Sequence, residues 1–167
     1  MTSLRTATPL ESAARVLDPE VPVLTIADLG VLRDVQQDAN GRVTVTITPT
    51  YSGCPAMDAI RADIEQALAE DGYYDVVIST VLAPAWTTDW ITDDGRRKLT
   101  EYGIVPPQPL GRRGPVPISL VTRPPALTCP LCASARTREV SRFGSTACKS
   151  HWVCEDCSEP FDHFKSF

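Results

Sequence analysis

The 167-residue chain holds only two histidines, His151 and His163, so no imidazole is available in its long N-terminal part. That lack argues against a Cys–His nucleophile pair and against a carboxylate–histidine di-iron centre there, because both chemistries need a ring nitrogen beside the reacting group. No glycine-rich phosphate loop or flavin motif follows a candidate strand, which argues against nucleotide-driven chemistry. No apolar run approaches the ~20 residues of a membrane span. The opening MTSLRTATPLESAARVLDPE has no signal-peptide core and carries Glu11 and Asp18, so the expected location is cytoplasmic. Thiols stay reduced there, and paired cysteines are expected to hold metal rather than form disulfides.

Basic surface is also scarce. The net charge is -5; residues 1–104 carry 8 Lys/Arg against 16 Asp/Glu, and residues 129–167 carry five of each sign. Only Arg112, Arg113 and Arg123 cluster between them, too few for the basic face on which nucleic-acid affinity rests. The acidic N-terminal part suits solubility or a basic protein partner.

What is present divides into three segments. Residues 1–104 read as an α+β domain in the order α-β-β-α-β, a small sheet with helices on one face. Leu10, Ala13, Ala14 and Leu17 mark a first helix from Pro9 to the Asp18-Pro19 stop. A loop follows, then a strand from Val31, a turn at DANG (38–41) and the alternating return strand RVTVTITPT. Met57, Ile60, Ile64 and Leu68 mark a second helix that ends at Gly72, and YDVVISTVLA is the third strand. Ile91, Leu99 and Tyr102, with Thr92 as cap, suggest a short helix that Gly95 weakens; Trp86 and Trp90 read as core aromatics. Residues 105–128 hold seven of the 15 prolines and read as a semi-rigid linker. Residues 129–167 form a small C-terminal module.

That module carries Cys129-x2-Cys132 and Cys154-x2-Cys157. Each pair grips one metal from a tight turn, and two turns complete a tetrahedron. So small a module needs such a staple. Structural zinc is the expectation; the same set can hold an iron–sulfur centre. Cys148 reads as a buried small residue, and His151 and His163 as dispensable ligands. The sixth cysteine, Cys54, stands apart between Gly53 and Pro55 at a strand-to-helix junction. A helix N-terminus favours a thiolate, so its pKa is expected to be lowered, with Gly53 permitting a close approach. Tyr51, Ser52 and threonines such as Thr50 offer donors beside it. Asp18, Glu20 and Asp28, in loops flanking the first strand, serve either as turn-formers or as a polar rim around the thiol.

LDPEVPVLTIADLGVLRDV followed by TPTYSGCPAM resembles the PaaD-like domain of the metal–sulfur cluster biosynthetic proteins, over about Ala13 to Leu82. Its marks are DPE, DLG and the Cys54-Pro55 pair after a threonine-rich strand. WTTDWITDDGRRKLTEYGI, CPLC, CEDC, FGSTACK and PFDHFK extend the likeness to the members of that family in phenylacetyl-CoA oxygenase (epoxidase) systems. The resemblance implies a non-enzymatic maturation factor. It implies that Cys54, with Asp18, Glu20, Asp28 and Thr50, handles a transient iron–sulfur cluster, and that the C-terminal module is a zinc ribbon. The implied partners are oxygenase-system proteins, above all the iron–sulfur reductase component. One thiolate is too few for a cluster, which leaves a site shared across a homodimer open.

Overall fold

The computed structural model describes residues 7–109 and 127–166. Most of the proline-rich segment expected as a linker lies outside them. The chain divides into two compact units, with the division between Gly95 and Arg96.

The first unit opens with helix α1, Pro9–Ala14, capped by Thr8 in a capping box with Glu11. It ends earlier than its apolar spacing suggests. Residues 16–18 turn instead to the following loop: Ile26 N–H donates to Val16 O at 2.9 Å and Asp18 N–H to Leu24 O at 2.9 Å. These bonds replace the helical ones. The buried face is therefore Ser12, Ala13 and Val16, while Leu10 and Leu17 stay about half exposed. Strand β1, Leu32–Gln37, pairs antiparallel with β2, Val43–Ile47, across the Asp38–Gly41 turn. In that turn the Asp38 carboxylate accepts from the N–H groups of Asn40 and Arg42. Along β2, Val43, Val45 and Ile47 are buried and the intervening threonines half-buried.

Helix α2, Ala56–Glu70, buries Ile60, Ile64, Ala67 and Leu68. Each large aliphatic side chain removed from water in this way contributes about 1.5–3 kcal/mol. Gly72, at φ +91, turns the chain out of the helix. The chain then enters β3, Val76–Thr80, which lies parallel to β2, so α2 is a crossover helix. The sheet order is β1-β2-β3.

The DLG triplet has a separate structural reason at each residue. The Asp28 carboxylate accepts from Thr25 N–H at 2.9 Å. Leu29 is buried, and its carbonyl accepts from Trp86 Nε1 at 2.9 Å. Gly30 has φ +70, and a Cβ there would lie 2.6 Å from Trp90 Cβ. Trp90 is covered in turn by the Arg33 guanidinium, 3.6 Å from its ring centre. Helix α3, Asp93–Glu101, spans the unit boundary and is capped by the Thr92 hydroxyl, which accepts from Gly95 N–H at 3.0 Å. Gly95 is there for space, since a Cβ would meet Asp28 O at 3.0 Å. Leu99 and Ile91 are buried as expected, whereas Tyr102 is exposed.

The second unit contains a four-stranded sheet in the order β4-β7-β6-β5, from Ile104–Val105, Pro160–Phe164, Lys149–Cys154 and Thr137–Ser141. The short β4 pairs parallel with β7, so residues 104–105 extend the cysteine-bearing sheet. Arg96 adds to this by donating to Pro107 O at 2.7 Å. Leu127, Cys129, Trp152, Cys154 and Phe161 form a small buried core, with the rings of Trp152 and Phe161 stacked 6.5 Å apart.

Candidate metal centre and candidate transfer cysteine

Each CxxC pair is shaped by one residue in an unfavoured backbone conformation. Ala133 has φ 60 and Ser158 has φ 63, each one residue past the second cysteine of its pair. These left-handed residues reverse the chain: Cys129 N–H reaches Ser134 O at 2.8 Å, and Cys154 N–H reaches Glu159 O at 3.0 Å. The backbone N–H groups then point at sulfur, that of Ser134 to Cys132 and those of Cys157 and Asp156 to Cys154. The Cys157 N–H is the chief reason that the Cys154 thiol is drawn down to about 7.

The four sulfurs lie within 4.8 Å of one another. The Cys129–Cys157 and Cys132–Cys154 sulfur separations are 3.8 and 3.5 Å. An ion bonded to four thiolates at about 2.3 Å sets them about 3.8 Å apart. The arrangement therefore fits a single tetrahedral ion, while a multi-iron core would have to push the sulfurs apart. Cys148 is buried elsewhere, 3.0 Å from the Thr146 hydroxyl, and is not part of the set. His151 faces Asp162 through Nδ1 at 3.2 Å, and His163 Nδ1 lies 3.3 Å from the Ser150 hydroxyl. Burial, helped by the Lys165 charge, lowers the His163 pKa to about 4.

Cys54 follows a turn closed by its own N–H to Tyr51 O at 3.3 Å, with Gly53 at φ +86 in the third position. Glycine is required there for its backbone angle; a Cβ would meet nothing within 4 Å, so the expected close approach is absent. Pro55 is the cap residue of α2 rather than its first helical residue. The Cys54 thiol is half-buried and its pKa is raised, opposite to the expectation. Burial is the main cause, and the charges of Glu20 and Asp18 add to it. Hydrogen bonds from Ala56 N–H and the Tyr51 side chain pull the other way and lose.

The structure thus brings Asp18 and Glu20 to Cys54, and assigns Tyr51 the hydroxyl contact that residue type alone left open among several donors. Asp18 is also a turn-former: its carboxylate accepts from the N–H groups of Glu20 and Val21 at 2.9 and 2.7 Å. Asp28 is engaged with Thr25 and Thr92. Thr50 sits half-buried in the loop leading to Tyr51.

Comparison with known proteins places both units. Residues 114–165 match the PaaD zinc beta ribbon domain, and residues 13–77 match the iron–sulfur cluster assembly protein family. A protein of Escherichia coli (strain K12), provisionally named as a subunit of 1,2-phenylacetyl-CoA epoxidase, is 47% identical over 91% of this chain and 87% of its own length. The chain belongs to the PaaD family of phenylacetyl-CoA epoxidase subunits. An Fe-S protein maturation auxiliary factor of Porphyromonas gingivalis is 36% identical over 50% of the chain and 80% of its own length. A solved domain of unknown function, DUF59, from Bacillus anthracis shares 26% identity and a TM-score of 0.51, covering 55% of this chain and 87% of that domain. Membership of the PaaD family accounts for both parts of the chain, the part that matches the iron–sulfur cluster assembly family and the ribbon. Among the described residues, no helix is long and apolar enough to cross a membrane.

Proposed function

We propose that the chain is a non-enzymatic maturation factor that helps assemble or insert iron–sulfur clusters in the phenylacetyl-CoA epoxidase system. The observation that carries this reading is the setting of Cys54: one half-buried thiol, tethered by Tyr51 and bordered by carboxylates, in the unit that matches the cluster-assembly family. The auxiliary-factor names of relatives matching that unit support it. Cluster iron is cargo here. Loading forms a bond from Cys54 sulfur to iron as a donor's thiolate leaves that iron, and the Cys54 proton passes to the departing thiolate. Delivery reverses this: an acceptor cysteine loses its proton and binds the iron, and Cys54 is reprotonated. No electron moves. Because the fold raises the Cys54 pKa, a proton competes strongly with iron for this sulfur, which suits transient loading rather than storage.

The four-cysteine site holds a structural zinc ion through Cys129, Cys132, Cys154 and Cys157, and the ion staples the ribbon. The acceptor is the iron–sulfur reductase component, and a homodimer would supply a second Cys54 to a shared cluster. The protein acts in the cytoplasm. Cys54→Ser should fold normally yet leave the reductase short of iron in cells; a fully loaded, active reductase in those cells would refute the role. The subunit name of the Escherichia coli relative favours a second reading, an accessory component of the oxygenase without transfer. Stoichiometric co-purification with the oxygenase catalytic subunits, unaffected by Cys54→Ser, would support it.

A further inference from the structure

Because β2 and β3 run parallel, with Ile47 opposite Thr80, the chain leaves both strands at the same end of the sheet. One exit is the loop that carries Cys54. The other is Val81-Leu82-Ala83-Pro84-Ala85. Two bonds fix these exits side by side. Val81 N–H donates to Ile47 O at 2.9 Å, holding the second loop to the strand that leads into the first. Arg61, in the second turn of the helix that follows Cys54, donates to the Thr80 hydroxyl at the end of β3. Adjacent strands are about 4.8 Å apart, so the loops are near neighbours.

The second loop is apolar and faces water. Leu82 is 62% exposed, and Ala83, Pro84 and Ala85 are exposed as well. Its backbone is anchored through Val81, yet the side chains of residues 82–85 are exposed.

We propose that Leu82–Ala85 is a docking surface for the protein that accepts iron from Cys54, a partner with an apolar patch beside its acceptor thiols. This rests on the transfer reading above. Exchange of iron requires the acceptor sulfur and Cys54 sulfur on one iron, about 4 Å apart. A standard interface covers about 800 Å² per partner, a disc of about 16 Å radius. A disc centred on Cys54 takes in a loop one strand away. Glu20, partly exposed and near enough for its charge to act on Cys54, adds a polar neighbour, whereas the aliphatic loop provides apolar area that a specific complex can bury.

The test measures transfer from iron–sulfur-loaded full-length protein to the apo form of the iron–sulfur reductase, followed by visible absorbance of the acceptor. Leu82→Glu should slow acquisition about tenfold, the scale of one lost interface anchor. Leu82→Gln, which adds no charge near the thiol, should slow acquisition similarly while its Cys54 alkylation rate stays at the wild-type value. Tyr74→Glu is the control: Tyr74 is 81% exposed but precedes β3 at the opposite end of the sheet, and its variant should transfer normally. If Leu82→Glu is misfolded by circular dichroism, Leu82→Ser carries the same expectation. Wild-type transfer by the folded Leu82 variant, alongside failure of Cys54→Ser, would overturn the docking surface and leave the transfer reading intact. Wild-type transfer by Cys54→Ser would overturn both.

Discussion

Replacing Gly30 with alanine isolates the close packing that holds the DLG turn. At φ +70 an L-residue costs roughly 1 kcal/mol in backbone strain. The added Cβ would also stand 2.6 Å from Trp90 Cβ and 2.7 Å from Trp90 O. Relief needs a shift of about 1 Å, since apolar carbons rest at about 3.5–4.0 Å. The obstacle is largely backbone, and that backbone is tied down: Trp90 N–H donates to Thr87 O at 3.0 Å, and Thr92 N–H donates to Asp28 O at 2.9 Å. Losing those two bonds costs about 2 kcal/mol. The expected destabilisation of the first unit is therefore about 3–4 kcal/mol. Gly41→Ala is the matched control, at φ +90 with nothing within 4 Å of its Cβ, and should cost about 1 kcal/mol. Native-state hydrogen exchange of the Val45 and Ile47 amides reads this unit separately from the ribbon. Equal losses for the two variants would refute the packing argument.

Cys154→Ser, or treatment with a strong chelator, should release one metal ion per chain and abolish the near-ultraviolet signal of Trp152, because the four thiolates contribute folding energy to the ribbon; retained signal without metal would contradict this. Iodoacetamide labelling of Cys54, followed by peptide mass spectrometry, should reach half its maximal rate above pH 9, the ordinary thiol value. Glu20→Gln should lower that midpoint and Tyr51→Phe should raise it, since the charge opposes the thiolate and the hydroxyl supports it. His163 is held neutral, with a folded pKa of about 4 against 6.5 when unfolded. Its contribution is therefore complete above pH 6.5 and is lost as pH falls from 6.5 toward 4. Allowing for partial exposure of the ring, His163→Gln should remove about 1 kcal/mol of this acid sensitivity, measured by urea unfolding of wild type and variant at about pH 7 and about pH 5.

The zinc-ribbon cysteines were legible because ligand spacing is local: two CxxC turns need no knowledge of the rest of the chain. The strand Val43–Ile47 was legible for the same reason, through its alternation. Helix α1 was overextended because nothing in Leu10, Ala13, Ala14 and Leu17 tells that residues 16–18 will bond to Leu24 and Ile26. Gly95 read as a helix breaker, although it is required by an approach to Asp28, far away in the sequence.

Neighbouring residues alone were enough for the α+β class, the clustering of four cysteines and the isolation of Cys54 at a strand-to-helix junction. Periodicity, turn residues and ligand spacing are all written in nearby positions. The ionisation of Cys54 emerged only with the folded chain. The helix start argued for a thiolate, but burial and the charges of Glu20 and Asp18, carried in from a loop more than thirty residues earlier, hold the proton on. The same is true of Leu82, whose loop leaves the sheet at the same end as the loop carrying that thiol only because β2 and β3 pair in parallel. Electrostatic and packing energies depend on distances through space, and those are set only when the chain has folded.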